Sequence, residues 1–545
     1  MQTEASATPR PRRARGCLFW LALGLGTLVL AALILWPIAN RESVPARPFD
    51  GQALAPPIWD AAFVPRAIEG QALTYPGLAP DGNATIHADA AQSDVHDRMG
   101  PIGANLEVRS RKSGNWLPRQ CSTFTFRSDG RVVAMCGGLT GFRMVLIDPD
   151  TLAMLAYYDL PMRPSAFQAM VGRDMDIMFS DSSGGAYFFL DDRDGVVFAD
   201  SRYQVQRIVA VEDKGEWQFK LDRGWDLRAH VPHDCQHYDN WFPSGECDLL
   251  TTVMPGPDGR YWWTTRYGRV GTLDPATGKI AQMRFTGEEI QNAIAMDRSA
   301  VYVLTDHRQY AMQAGADGIP RVLWSHAYDR GSARKTGSIN QGSGTTPTLI
   351  GDRWIAFADN ADGRINAVIL RRDALADEKT REVCKVPVFD EGASATENSM
   401  IGWGRSIIFE NNAGYTNALS MTDWDKVRGG MVRIDVRADE SGCDIIWTSP
   451  LKIPSVVPKL AAKSGIVWVT SFAMAPDGKD QDWFLVGLDF ATGKEVARVP
   501  TGRGKQWNNN WAAVAIGPDD SLWQGALGGV VQVRQRSAAK DRPGS

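Results

Sequence analysis

The sequence predicts an all-β protein: a β-propeller of about eight four-stranded blades, preceded by one N-terminal transmembrane helix. Three observations predict this fold class. An uncharged apolar run covers residues 17–39. An imperfect repeat of about 40–55 residues follows it, a period typical of propeller blades. The 545 residues include 53 glycines, 30 prolines and 19 tryptophans, and so many turn formers and aromatics favour strands over helices.

The start of the chain is typical of a membrane anchor. A helix needs about 20 apolar residues to span a bilayer, whereas the apolar core of a cleavable signal peptide has about 7–15. Arginines precede the apolar run, and basic residues on that side stay in the cytoplasm. We therefore expect a cytoplasmic tail over residues 1–16 and an uncleaved anchor over residues 17–39, with a cleaved signal as the alternative. The bulk of the chain would then lie outside the cytoplasm, in the periplasm or the extracellular space.

The clearest repeat unit covers residues 249–285. Its first strand leads into the turn Pro257-Asp258-Gly259, and a later strand leads into Asp274-Pro275-Ala276-Thr277-Gly278. Asp-Gly and Thr-Gly pairs supply the backbone conformations that a tight antiparallel meander needs. The first turn recurs at 128–130 and 518–520, and the second recurs at 147–152 and 488–493. The recurrence predicts repeated four-stranded sheets.

Candidate first strands set the extent of the propeller, which we place at residues 101–536. They begin near residues 121, 165, 248, 291, 345, 398, 456 and 510. The long interval between 165 and 248 holds either an insertion or an extra blade. The last unit shows three strands, and residues 104–110 are expected to supply the fourth, which closes the ring and protects its sheet edges. Seven blades and a pair of stacked β domains are the alternatives.

Two segments flank the propeller. Residues 40–100 are rich in proline and are expected to form a tether that leads into the ring, part of it extended over the domain surface. Residues 537–545 form a C-terminal tail.

Six cysteines lie in the part of the chain expected outside the cytoplasm, and an even number in an oxidising compartment suggests disulfides. The expected bridges are Cys121–Cys136, Cys235–Cys247 and Cys384–Cys443. The first pair flanks the hairpin loop at 128–130, which places the two residues nearly opposite each other. The second pair brackets a short loop, and the third is left by elimination. Free buried thiols are the alternative.

Polar residues near the starts of the first strands are expected to converge on one rim of the central channel. They are Asp248, Asn292, Thr345, Asn398 with its neighbour Glu397, and Asn510. Hard cations such as Ca²⁺ take carboxylate and carbonyl oxygens from several directions, which such a ring offers. We therefore expect a divalent-cation site there, with ordinary turn residues between blades as the alternative.

A second candidate metal site is a histidine cluster. His230, His233 and His237 fall in one irregular insertion, and imidazoles bind zinc or copper or act as acids and bases. Pro232 argues against one helix carrying all three. The alternative is a surface loop, pinned by a disulfide, with solvated histidines.

The turn Leu273-Asp-Pro-Ala-Thr-Gly-Lys279 resembles the blades of two propeller superfamilies over about residues 100–535: the quinoprotein (PQQ-like) and the gluconolactonase/strictosidine-synthase-like superfamilies. The second resemblance implies a ring of Asn, Asp and Glu around a divalent cation, often calcium, that polarises a lactone carbonyl and helps to form a nucleophilic water. The first implies a quinone-dependent dehydrogenase. Its blades usually carry a tryptophan four residues after the Thr-Gly pair, which is missing after Gly278 and Gly493, so PQQ is disfavoured.

The sequence leaves three functions open. We expect a divalent-cation-dependent hydrolase of lactones or esters; the alternatives are a non-catalytic binding or scaffolding propeller of the cell envelope and a quinone-dependent dehydrogenase. Expected partners are the lipid bilayer, through residues 17–39, and either a small-molecule substrate or other envelope proteins. A net charge of −4 does not favour nucleic acid. The sequence has no Gly-x-Ser-x-Gly elbow, Walker loop or His-Glu-x-x-His motif, which argues against the usual serine hydrolases, NTPases and zincins.

Overall fold

The structure, a computed structural model, describes residues 13–40, 54–113, 119–138, 141–172, 178, 181–231, 248–335, 337–373, 375–476 and 478–536. The chain begins with helix α1 (Arg13–Asn40). Among these residues, no helix combines the length and the apolar character that crossing a bilayer requires. The anchor predicted over residues 17–39 is therefore not confirmed.

Three early strands pair with strands from the end of the chain. They are β1 (Ile58–Trp59), β2 (Val95–His96) and β3 (Leu106–Lys112). Strand β3 is the outermost strand of the last sheet, so it joins the two ends of the repeat array.

Strands β4 to β34 and β3 form eight four-stranded blades. Blade 1 contains β4 (Gln120–Phe126), β5 (Val132–Gly138), β6 (Gly141–Ile147) and β7 (Met154–Asp159). Helix α2 (Pro164–Gly172) precedes blade 2, which contains β8 (Phe189–Leu190), β9 (Gly195–Ala199), β10 (Gln204–Asp213) and β11 (Glu216–Asp226). Blade 3 contains β12 (Leu250–Pro255), β13 (Tyr261–Thr265), β14 (Arg269–Leu273) and β15 (Ile280–Arg284). Blade 4 contains β16 (Ala295–Met296), β17 (Val301–Leu304), β18 (Arg308–Ala314) and β19 (Pro320–Ala327).

The second half of the ring continues the pattern. Blade 5 contains β20 (Thr348–Ile350), β21 (Trp354–Ala358), β22 (Asn366–Arg371), the short helix α3 (Glu378–Arg381) and β23 (Glu382–Pro387). Blade 6 contains β24 (Ile401–Trp403), β25 (Ser406–Glu410), β26 (Met431–Val436) and β27 (Cys443–Ser449). Blade 7 contains β28 (Lys459–Ala461), β29 (Ile466–Met474), β30 (Gln481–Asp489) and β31 (Glu495–Arg503). Blade 8 contains β32 (Val514–Ile516), β33 (Leu522–Ala526), β34 (Gly529–Gln535) and β3.

The predicted all-β fold of eight four-stranded blades is confirmed. The predicted closure is confirmed as well, because β3 pairs with β34 over its whole length, from Leu106 opposite Gln535 to Lys112 opposite Gly529. The strand expected near residue 165 is wrong. Pro164 opens α2 there, at a position where proline costs no helical hydrogen bond, and the Ala, Gln and Met that follow favour a helix. Blade 2 begins only at β8.

The repeated Asp turns have a common chemistry. The Asp274 carboxylate accepts hydrogen bonds from the backbone N–H groups of Ala276 and Thr277, at 2.9 and 3.2 Å. Gly278 then adopts a φ of 75°, a backbone conformation in which glycine is free of strain. Blade 7 repeats this arrangement with Asp489. The turn motif read from the sequence therefore fixes the third connection of these blades.

Aromatic side chains fill the seams between blades. Trp523 on the second strand of blade 8 is buried, and its ring lies 5.9 Å from Phe124 and 6.3 Å from Phe126 of blade 1. Trp262 and Trp468, on the second strands of blades 3 and 7, are also buried. Each fully buried aromatic side chain stabilises the fold by roughly 1.5–3 kcal/mol, so the seams carry much of the stability of the ring.

Two of the expected disulfides are present. Cys121 pairs with Cys136 across the β4–β5 hairpin. A second bridge joins Cys384 on the outer strand of blade 5 to Cys443 on the outer strand of blade 6. The expected Cys235–Cys247 bridge lies outside the described residues.

Candidate functional site

The central channel is closed at one end by the chain itself. Residues 79–97, which we call the plug, lie inside the ring and are buried along most of their length. Plug carbonyls accept hydrogen bonds from the N–H groups of Leu190, Met296 and Leu349, at 2.8, 2.8 and 2.9 Å, and the plug strand β2 pairs in parallel with β28. These partners lie where the inner strands end. The plug therefore occupies this end of the channel, and we call the opposite end the mouth.

A buried charged network holds the plug. Asp94 Oδ1 accepts a hydrogen bond from Lys459 Nζ at 2.5 Å and lies 3.2 Å from His87 Nδ1. Ser399 Oγ lies 2.6 Å from the same histidine nitrogen and also donates to Asp94. Burial opposes ionisation of Asp94, but the charges of Lys459 and His87 outweigh it and hold the pKa of this carboxyl below its ordinary value. The network joins the plug to blades 6 and 7.

Two residues of the predicted cation ring, Glu397 and Asn398, point to different partners. Glu397 accepts a hydrogen bond from Gln291 Nε2 at 2.9 Å. Asn398 Nδ2 donates to Glu410 at 2.5 Å and to Ser455 at 3.0 Å. Burial raises the pKa of Glu397 and raises that of Glu410 to about 8. Glu410 is therefore mostly a neutral acid at pH 7, which is a weak ligand for a hard cation.

Two further predicted residues, Asn292 and Asn510, also serve protein contacts. Tyr187 donates to Asn292 Oδ1 at 3.0 Å, while the amide nitrogen of Asn292 donates to a backbone carbonyl in the loop before blade 5. Asn510 Oδ1 accepts from Tyr415 at 3.0 Å, and its Nδ2 donates to Gln120 at 3.0 Å. The structure thus places Asn292 beside blade 2 and Asn510 between blades 6 and 1.

The remaining candidates do not join them. Asp248 forms an ion pair with Arg269 of its own blade, with Oδ2 and Nε 3.0 Å apart. The backbone N–H of His230 donates to the Leu227 carbonyl in the turn after β11. His233 and His237 lie outside the described residues. Within the described ranges, no three His, Cys, Asp or Glu side chains are placed to hold a metal ion. The cation site thus stays a prediction.

The mouth contains a large cavity of about 640 Å³. It lies over the starts of the inner strands of blades 1, 2 and 8. Its apolar lining comprises Met135, Phe142, Met178, Ala186, Leu419, Trp511 and Leu527. Lys505 and Gln506 stand exposed on its edge. An apolar lining with a few polar groups at the edge is typical of a binding site. We call it the apolar cavity.

A smaller cavity of about 190 Å³ adjoins the first, and Asp181 lines both. Most of its lining residues are polar, and they come from the segments before blades 2, 4 and 5 and from blade 3. The polar members are Ser165, Gln168, Asp181, Ser182, Ser183, Thr251, Arg266, Tyr267, Glu289, Gln291 and Asn340. We call it the polar cavity. Gln291 connects it to the predicted residue Glu397.

An ion pair forms the wall between the two cavities. Arg163, just before α2, lies 3.9 Å from Asp181, and its guanidinium stacks over the Phe142 ring at 4.3 Å. Burial opposes ionisation of Asp181, but the Arg163 charge and hydrogen bonds from the Ser165 hydroxyl and the Ser183 backbone N–H hold its pKa below the ordinary value. The wall is thus a fixed ionised pair beside an aromatic surface.

A third cavity, of about 1280 Å³, lies on the closed face between blades 2 and 3. Arg207 in its wall already pairs with Asp191 at 2.6 Å and with Asp222 at 2.8 Å. This third cavity lies apart from the mouth, on the far side of the plug.

The sequence did not indicate either mouth cavity. The helical insertion α2 builds the wall between them, and the residues near 165 were interpreted as a strand. The plug was also missed, because its alanines and short polar residues carry no periodic pattern. The buried ion pair of Asp94 and Lys459 is evident only in the folded structure, because the two residues are 365 positions apart in the sequence.

Comparisons with known proteins locate the fold but not a family. No family model matches the chain. An uncharacterized protein of Archaeoglobus fulgidus is 26% identical over 308 residues, which cover 51% of this chain and 59% of that relative. The matched part thus spans less than two thirds of the relative.

Solved structures with similar folds include BamB from Moraxella catarrhalis, at 13% identity and a TM-score of 0.39, covering 76% of this chain and 92% of that one. Chaetomium thermophilum Sqt1 bound to the N-terminus of the ribosomal protein L10 matches at 12% identity and a TM-score of 0.43, covering 81% of this chain and 98% of that one. A streptogramin B lyase matches at 10% identity and a TM-score of 0.35, covering 79% of this chain and 98% of that one. At such identities and TM-scores these matches identify no superfamily, and the β-propeller fold rests on the eight blades of the structure itself.

Proposed function

We propose that this propeller is a binding protein that takes up a polypeptide segment at its mouth, with an apolar side chain of the segment in the apolar cavity. The cavity itself carries the proposal: about 640 Å³ of space lined by Phe142, Leu419, Trp511 and other apolar side chains. That volume is within the range of ligand pockets in proteins, about 300–1,000 Å³.

The surroundings of the cavity support a polypeptide partner. Leu419, 40% exposed, offers apolar contact area at the rim beside the exposed Lys505. Protein interfaces commonly place an apolar anchor in a pocket and surround it with a polar rim that excludes water. Because the plug closes the other end, the partner enters and leaves on the same side.

The same geometry favours binding over cation-dependent hydrolysis. A hydrolase of that kind needs ionised carboxylates that converge on an open position. Here Glu410 is largely neutral at pH 7 because burial raises its pKa to about 8, and Asn398 already donates a hydrogen bond to it. Asp248 is held by Arg269.

We further propose that the protein works in an oxidising compartment outside the cytoplasm. The bridges Cys121–Cys136 and Cys384–Cys443 support this, because disulfides persist in such compartments and are rare in the cytosol. Blocking free thiols in cells before lysis, then comparing reduced and non-reduced samples for the two pairs, tests it. Recovery of all four cysteines as free thiols would contradict this location.

A peptide selection tests the binding function. Peptides displayed on phage are selected on the immobilised full-length chain, and their affinities are measured by calorimetry. We expect the selected peptides to share an apolar residue. Leu419→Asp should weaken them at least tenfold, because burying a leucine contributes about 1.5–3 kcal/mol. Leu375, 94% exposed on blade 5, gives the matched control, and Leu375→Asp should bind normally. Equal binding by both variants, or a selection that yields no peptide, would refute the proposal.

A further inference from the structure

Three side-chain oxygen atoms that line the polar cavity have no hydrogen-bond partner in the described part of the chain. They are Ser183 Oγ, Gln291 Oε1 and Asn340 Oδ1. The three residues are only 1%, 5% and 8% exposed. An unpaired polar group at such depth destabilises the folded state by about 1–3 kcal/mol, so three in one cavity are a considerable loss of stability. A ligand that supplied the missing hydrogen bonds would remove this cost.

The chemistry of the three atoms is the same. Gln291 uses its nitrogen for Glu397, at 2.9 Å, so its oxygen is left as an acceptor. Asn340 likewise presents its amide oxygen, and a serine hydroxyl accepts as readily as it donates. The missing partner is therefore a donor of several hydrogen bonds.

Both carboxylates that line the cavity lie beside an arginine, and a third carboxylate lies just behind the lining. Asp181 and Glu289 line it with carboxylates, and Glu397 lies just behind Gln291. Arg266 is the counter-charge to Glu289, with their nearest atoms 3.9 Å apart. A primary ammonium group carries three N–H donors and no acceptor, which matches three acceptor atoms in a space of about 190 Å³.

We infer that the polar cavity binds the primary ammonium group of a ligand. The group comes either from a small free amine or from the N-terminus of the segment in the adjoining apolar cavity; the second source rests on the proposed function. The ammonium donates to Ser183, Gln291 and Asn340, and the carboxylate of Asp181, which also pairs with Arg163, stands in the same lining. No covalent change is involved.

The experiment measures amine binding by calorimetry on the full-length chain at pH 7. The probes are butylamine, a selected peptide with a free N-terminus, the same peptide acetylated at its N-terminus, and glucose as an uncharged hydroxyl donor. We expect butylamine or the free peptide to bind, and the acetylated form to bind at least tenfold more weakly than the free form, because a hydrogen bond to a charged group is about twice as strong as a neutral one. Binding of butylamine without the peptide assigns a free amine; a preference for the free over the acetylated peptide assigns an N-terminus.

Variants separate the ligand role from a structural one. Ser183→Ala and Asn340→Leu should each lower amine affinity about tenfold while leaving the melting temperature unchanged or higher, since each removes an unpaired buried atom. Asn411→Ala is the matched control: this buried asparagine donates to Ala393 and Gly429 and accepts from Ala395. It should lower the melting temperature and leave amine affinity unchanged.

Three results would overturn the inference: no amine binds at millimolar concentration, glucose binds in place of the amines, or Ser183→Ala and Asn340→Leu bind as the wild type does. Failure here is distinguishable from failure of the proposed function. If free and acetylated peptides bind equally and Leu419→Asp still abolishes both, the apolar site stands and the ammonium site does not.

Discussion

The plug network predicts a large loss of stability from one substitution, Lys459→Met. Lys459 and Asp94 are 1% and 0% exposed, and their charged atoms lie 2.5 Å apart. Removing one partner of a buried ion pair leaves the other charge uncompensated, which costs about 3–5 kcal/mol. Because Asp94 keeps its contacts with His87 and Ser399, we expect the lower end, about 3 kcal/mol.

A neighbouring ion pair provides the matched control. Lys463 lies 3.8 Å from Asp97, but both side chains are about half exposed, at 52% and 53%. Exposed pairs contribute at most about 1 kcal/mol, so Lys463→Met should change the free energy of unfolding by less than that. Tryptophan fluorescence during urea denaturation at pH 7 measures both variants.

A local readout tests whether the plug is the part that loosens. Hydrogen exchange of the backbone amides in residues 84–96 should accelerate in Lys459→Met and not in Lys463→Met. The double variant Asp94→Asn/Lys459→Met should recover part of the lost stability, because it removes both charges. The reasoning would be refuted if Lys459→Met unfolded within 1 kcal/mol of Lys463→Met, or if plug exchange stayed at the wild-type rate.

Two further predictions concern other parts of the ring. Burial raises the pKa of Glu410 in the folded protein from 4.5 to about 8, so the folded protein holds a proton that the unfolded chain releases. The free energy of unfolding should therefore fall as the pH rises from about 4.5 to 8. Glu410→Gln should remove this part of the fall when melting temperatures are measured over a pH series. An identical pH profile in the variant would contradict the shift. A Cβ atom on Gly525 would stand 1.4 Å from the Cys121 carbonyl oxygen, at the seam of blades 8 and 1, so Gly525→Ala should destabilise the ring by several kcal/mol by thermal melting. A Cβ on Gly224 meets nothing within 4 Å, so Gly224→Ala should leave the melting temperature nearly unchanged. Equal destabilisation by the two variants would contradict the close contact between Gly525 and Cys121 at that seam.

The function proposed here differs from the one that the sequence favoured, because burial changes what a polar residue does. Asn292, Asn398 and Asn510 were correctly placed near the starts of inner strands, but their amides hydrogen-bond to Tyr187, Glu410 and Gln120. Residue type and register are local properties of the sequence. The partners of Asn292 and Asn510 come from other blades, and the partner of Asn398 is a neighbouring strand of its own blade.

What the sequence by itself determined is the repeat. Asp-Gly and Asp-x-x-Thr-Gly turns act within a few residues, so they predicted the sheets and the hairpin that pairs Cys121 with Cys136. The missing fourth strand of the last repeat unit predicted the closing strand at 104–110. Only the tertiary structure decided the site. The plug network and the unpaired acceptor atoms of the polar cavity are made from segments far apart in the chain. Short-range sequence patterns carry no information on which distant residues will be buried together. The residues that are buried together determine the charge of a cavity, the pKa values of its side chains and the space that it offers to a ligand.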